Sequence, residues 1–106
     1  MFHSYLAASF AALATASDCN SLRDWGAANN IIIGSQFKYD EMQDDPEYRA
    51  IHQREMAIAV AGNSCKASII QKERGVFDVH QCAKLLQDAT EADQLFRFHV
   101  LVWYNQ

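Results

Sequence analysis

Three sets of residues in this 106-residue chain have chemistry to offer. Cys19, Cys65 and Cys82 form an odd count, which permits at most one internal disulfide and leaves one thiol over. There is no C-x-x-C pair, and His80-x-Cys82 alone is too sparse for a zinc site, so no metal is expected. Cys82 falls on an apolar helical stripe and reads as a small core residue. The second set is the acidic run of Asp40, Glu41, Asp44 and Asp45, which has the composition of a solvated loop. Glu55 sits in mid-helix and Glu73 in a polar loop, so neither is placed as a catalytic carboxylate. The third set, Asn63, Lys66, His99, Trp103 and Gln106, combines hydrogen-bonding side chains with a flat aromatic face. A lone strand histidine is usually a bonded core residue and a lone tryptophan is usually core, so by type alone this set names no ligand.

The elements that must position these residues follow from the pattern of apolar positions. A continuous β-branched run at Ile31-Ile32-Ile33, continuing to Phe37, suits a strand covered on both faces. The acidic stretch 40–45 is expected to be a loop. Asp45-Pro46-Glu47 reads as a helix start, with Asp as cap, Pro at the first helical position and Glu in the first turn. A second short apolar run covers 57–61, and 62–75 reads as a long polar connection, a length that is uncommon and often functional. Helical spacing resumes at Cys82, Leu85, Leu86 and Ala89, with Asp78 a plausible cap. The last strand is expected over 95–104, where alternation puts His99 and Trp103 on one side. Strand, helix, strand, loop, helix, strand is the order of βαβ units and a parallel sheet. In such folds ligands gather at the C-terminal ends of strands, which brings 63–66 and 99–106 to one face.

Composition narrows the function classes. Half of the residues are hydrophobic and 21% are charged, which is ordinary globular usage and speaks against disorder. Nine basic against thirteen acidic residues, net −4, argue against nucleic acid or an anionic membrane as the main partner. Residues 5–16 read YLAASFAALATA, a run too short for a membrane span, which needs roughly 20 apolar residues. Ala14-Thr15-Ala16 supplies a small-residue cleavage pattern, although Met1 to Ser4 carry no Lys or Arg. A cleaved secretory leader over 1–16 is therefore expected, with 17–106 secreted and no stable membrane span. A buried amphipathic helix is the alternative for the same run.

Arg97 to Gln106, RFHVLVWYNQ, resembles the R-G-H-T-L-V-W-H-x-Q signature of glycoside hydrolase family 10, the endo-1,4-β-xylanases. The DPEY at 45–48 with Arg54-Glu55-Met56 is similar to that family's first barrel helix, and Asn63 and Lys66 match its E-N-x-x-K-W motif. Arg74-Gly75 with Phe77 matches its R-G-x-F segment, and Leu85, Leu86 and Ala89 fit the following helix. The likeness covers roughly 21–106, in the family's order. It implies an α/β fold, an incomplete (β/α)8 TIM barrel of three parallel strands and two helices, because a closed barrel needs about 250 residues. It also implies xylan or xylo-oligosaccharide as the ligand, with no cofactor. Asn63 and Lys66 would hydrogen-bond a xylose on the non-reducing side of the cleavage point, and His99 and Trp103 would line the subsite of the sugar under attack. Gln106 would add a hydroxyl contact on the same side.

The departures from the family pattern carry expectations of their own. Gly62 stands where the family has Glu, Ala67 where it has Trp, Phe98 where it has Gly, Val100 where it has Thr, and Tyr104 where it has the second His. Retaining glycosidases use two carboxyl groups about 5–5.5 Å apart. In this family both lie on later strands, and no Asp or Glu here matches either, so the chain alone is expected not to hydrolyse xylan. Two open sheet edges are expected to favour self-association. The alternative function is a small secreted non-catalytic protein that binds xylo-oligosaccharide or another partner with the same residues.

Overall fold

The structure, a computed structural model, describes residues 19–104. The expected leader over 1–16 and Gln106 both lie outside the described residues. Local capping chemistry sets most element boundaries. Ser21 opens helix α1 (Leu22–Ala28), its hydroxyl accepting from the amide of Asp24 at 3.0 Å. Strand β1 (Gly34–Phe37) leads into helix α2 (Tyr39–Asp44) and helix α3 (Pro46–Glu55). At the start of α3, Asp45 Oδ1 accepts from the amides of Glu47 and Tyr48 at 2.9 and 3.0 Å, with Pro46 in the first turn where no amide is needed. Strand β2 (Ile58–Ala61), a 3-10 turn (Asn63–Cys65), helix α4 (Ala67–Ile70), helix α5 (His80–Glu91) and strand β3 (Leu95–Arg97) complete the order. The N-cap of α5 is Val79, and Asp78, expected as the cap, stands one residue before it, its side chain accepting from the amide of His80 at 3.1 Å.

The three strands form one parallel sheet in the order β1-β2-β3, with Gln36, Val60 and Arg97 in register across it. Period-two alternation gives the sheet a covered and an open face. Phe37, Ala59 and Ala61 are fully buried, and Phe37 and Ala59 pack with Met42, Leu85 and Ala89 of the helices. Each large apolar side chain so buried contributes about 1.5–3 kcal/mol. Gln36 and Arg97 stay exposed on the opposite face, and among the described residues β1 and β3 are open edges. Three parallel strands with their two long helices, α3 and α5, are the expected slice of an incomplete barrel, and α2 and α4 are short additions.

Several boundaries differ from expectation. The acidic run is helical because Met42, within it, is drawn fully into the core and the carboxylates of the first turn suit a helix N-terminus. The polar connection also contains a helix, α4, since Ile70 packs on a small cluster of Ala61, Cys65 and Cys82. Strand β1 begins only at Gly34, and β3 ends at Arg97. β2 is four residues long and turns away after Ala61, which leaves the chain beyond Arg97 no ladder to join. His99 and Trp103 thus lie past the strand, and period-two alternation does not relate them.

Long-range polar contacts fasten the layers. Gln94 Nε2 donates to the carbonyls of His52 and Met56 at 3.1 and 2.8 Å, satisfying the open end of α3. Buried Asp88 accepts from Gln43 at 2.9 Å and pairs with Lys84. Arg23 of α1 donates to the carbonyls of Ala92 (3.0 Å) and Asp93, and the amide of Leu22 donates to Glu55 Oε2 at 2.7 Å. Cys65 and Cys82 form a disulfide across 17 residues, a loop whose closure is worth about 3 kcal/mol on chain entropy. Cys82 is therefore both buried and covalently paired, and Cys19 is exposed. Among the described residues no helix is long and apolar enough to cross a membrane.

Candidate functional site

The C-terminal ends of the strands carry the candidate residues. A hollow of about 330 Å³ is lined by Gln36 of β1, Val60 and Ala61 of β2, Lys66, and His99 beyond β3. Beside it lies a cavity of about 400 Å³ whose wall includes Gln36, Lys38, Glu41, Asn63 and Ser64. Gln36 lines both and so joins them. The ammonium of Lys66 stands 4.9 Å from the centre of the Trp103 ring, within cation–π range. Trp103 in turn meets Tyr104 edge to face at 5.3 Å. Lys66, His99 and Trp103 are thereby brought together, and Asn63 sits on the adjoining wall.

Hydrogen-bonding capacity is left open here. Within the described residues, the side chains of Gln36, Asn63, Ser64, Lys66 and His99 make no hydrogen bond. The contrast is with His52, on the covered face, whose Nε2 lies 2.5 Å from Ser35 Oγ and 3.1 Å from the carbonyl oxygen of Gln36. Burial lowers the pKa of His52 against the smaller opposing pull of backbone contacts, that of Gln36 foremost, so it is kept neutral. Unbonded amide, hydroxyl, ammonium and imidazole groups around a wide polar hollow suit a neutral ligand rich in hydroxyls, and the exposed Trp103 ring adds an apolar surface.

The Glu41 carboxylate at this face is in the wrong state for acid catalysis. Glu41 accepts from Lys38 Nζ at 2.9 Å; that bond holds its carboxyl below the ordinary carboxylate value and raises Lys38 above the ordinary ammonium value. A general acid must instead hold its proton near neutral pH.

Gly62 permits a close approach. A Cβ on Gly62 would stand 2.5 Å from the carbonyl oxygen of Phe37 and 3.0 Å from Gln36 Nε2. The position where the similar family has Glu is thus closed to a side chain unless β1 and β2 part. Gln36 and Ser64 were not among the residues singled out in the sequence. The signal for Gln36 was present: it is a polar residue at the carboxyl end of the first strand of a parallel sheet, where such folds bind ligands.

The pattern of Glycosyl hydrolase family 10 matches residues 21–106. Endo-1,4-beta-xylanase B of Neocallimastix patriciarum is 39% identical over 46 residues, a stretch that covers 43% of this chain and 5% of that protein. Xylanase 10B from Thermotoga petrophila RKU-1, solved in complex with xylobiose, superposes with a TM-score of 0.72 and 30% identity, over 81% of this chain and 27% of that one. Native xylanase 10B from Thermotoga maritima matches with the same TM-score and coverage at 31% identity. The chain spans under a third of the length of these solved relatives.

Proposed function

The chain belongs to glycosyl hydrolase family 10, and we propose that it supplies the sugar-gripping wall of a xylan-degrading endo-1,4-β-xylanase site. The observation that carries this reading is the meeting of Gln36, Lys66 and His99 around one hollow at the strand ends, with Trp103 against Lys66. In the reading, Asn63, Lys66 and His99 bond the hydroxyls of a xylo-oligosaccharide, and Trp103 offers its ring to the apolar face of a xylose. These residues bind and orient, and bond cleavage depends on a carboxyl pair that they do not include. Calorimetry with xylohexaose tests the binding: His99→Ala and Trp103→Ala are each expected to weaken it, and equal affinity in all three proteins overturns the reading. Reducing-end assays on xylan test the catalytic half; turnover abolished by one carboxylate substitution within these residues overturns it.

A second reading, a secreted non-catalytic xylo-oligosaccharide-binding protein, is favoured by the same unbonded side chains, since binding needs no carboxyl pair. Export in either case is supported by the Cys65–Cys82 disulfide, a bond that persists in oxidising compartments. N-terminal sequencing of exported protein tests it, with a start at Ser17 expected. Self-association is supported by the open edges of β1 and β3 and by Leu101 and Val102, which are 76% and 87% exposed. Sedimentation that shows only monomer at high concentration overturns that part.

A further inference from the structure

The 3-10 turn Asn63–Cys65 presents Asn63 and hands the chain to Lys66, yet it is weakly held by hydrogen bonds. Its ends carry no side-chain cap, and its closing bond is the amide of Lys66 to the carbonyl of Asn63 at 2.9 Å. The strong restraint is covalent. Cys65, fully buried, is bonded to Cys82 in the first turn of α5, with their Cα atoms 4.9 Å apart. One and two turns further along α5, Leu85 and Ala89 are fully buried in the main core. The disulfide therefore joins the turn to a helix that is itself immobilised on the sheet. Asn63 lies two residues before the bonded cysteine and Lys66 one after it.

We propose that the Cys65–Cys82 disulfide is a positioning element of the sugar site, holding Asn63 and Lys66 in one arrangement at the strand ends. The inference rests on the sugar-binding reading above. A global staple is the competing role, and the packing argues against it. The Cys65–Cys82 pair packs with Ala61 in a small cluster that meets the cluster of Phe37, Met42, Ala59, Leu85 and Ala89 through Phe96 of β3. None of the residues of that main cluster touches the bond's own loop except through this edge-strand side chain or along α5. The loop it closes contains α4 and the polar connection, and all three strands lie outside it. Losing the bond should free the turn and leave β1 and β2 paired.

The test has two arms on the full chain. In the first, amide hydrogen exchange is followed before and after treatment with a water-soluble phosphine, which cleaves the Sγ–Sγ bond and is oxidised to the phosphine oxide, one water molecule supplying the oxygen and the protons of the two thiols. Loss of protection confined to 64–71, with the amides of 58–61 still protected, supports the proposal; simultaneous loss across the strands overturns it. In the second, xylohexaose calorimetry compares the oxidised protein with a Cys65→Ala/Cys82→Ala variant. Freeing two contact side chains should weaken binding by about tenfold. Lys66→Ala should then cost little in that variant, while His99→Ala keeps its full effect. Unchanged affinity, or a full Lys66 effect without the disulfide, overturns the proposal. An oxidised chain that takes up no xylohexaose overturns the sugar reading, and the exchange pattern then decides the tether alone.

Discussion

The two ends of the β1–β2 pair treat polar groups in opposite ways. On the helix-covered face, Asp88, Gln94 and His52 are buried, and each is bonded to at least one partner. At the strand ends, Gln36, Asn63, Lys66 and His99 make no side-chain hydrogen bond within the described residues. Burying a polar group without a partner costs about 1–3 kcal/mol, so the side chains of the covered face are largely satisfied, with His52 Nδ1 and Gln94 Oε1 the two atoms left without a partner. Groups at the rim keep contact with water and bear no such penalty. The difference separates residues that make the fold from residues that the fold holds out for a ligand.

Substitutions should divide along the same line. Phe37→Ala empties the centre of the main cluster and should cost about 3–5 kcal/mol, much of the stability of a small domain, read by urea denaturation. Gly62→Ala, at the border between the regions, drives a Cβ against the Phe37 carbonyl and should cost about 1–3 kcal/mol in the same measurement; a neutral result would show that the strands part freely there. His52 gives a milder, pH-dependent effect. Its pKa is lowered by burial, so the unfolded chain takes up a proton that the folded one resists. Stability from this group is complete above its ordinary value of 6.5 and declines as the pH falls below it. Melting curves between pH 5 and 8 should show a shallower decline for His52→Gln than for the wild type, and parallel curves contradict the assignment. His99→Ala should leave stability within about 0.5 kcal/mol. If it melts the domain as Phe37→Ala does, the division between the two regions fails.

Features governed by neighbouring residues were legible in the sequence. The cap at Asp45-Pro46, the parallel βαβ order and, of the expected stripe, Cys82, Leu85 and Ala89 follow from spacing alone and are present, while Leu86 of the same stripe is exposed. What depended on distant partners was not. β3 stops at Arg97 although the apolar alternation runs on to Tyr104, because β2 ends at Ala61 and its ladder with β3 closes at Val60 and Arg97. One buried side chain, Met42, made a helix of a run whose composition reads as loop. The pairing of Cys65 with Cys82 needed the separation of the turn from α5 in space. In the candidate site, Lys66, His99 and Trp103 were found through a resemblance, while Gln36 was visible only once β1 had a defined end.

The contact of Arg23 with the carbonyls of Ala92 and Asp93 links positions about 70 residues apart. For a chain made from its N-terminus onward, this imposes an order of events. Helix α1 can first rest on α3, where the amide of Leu22 reaches Glu55, but its guanidinium has no seat until the turn after α5 has emerged. That same turn leads directly into β3. The earliest described helix is thus locked only when β3 is ready to pair, so a ribosome that pauses before Asp93 would hold β1 and β2 paired with α1 half docked.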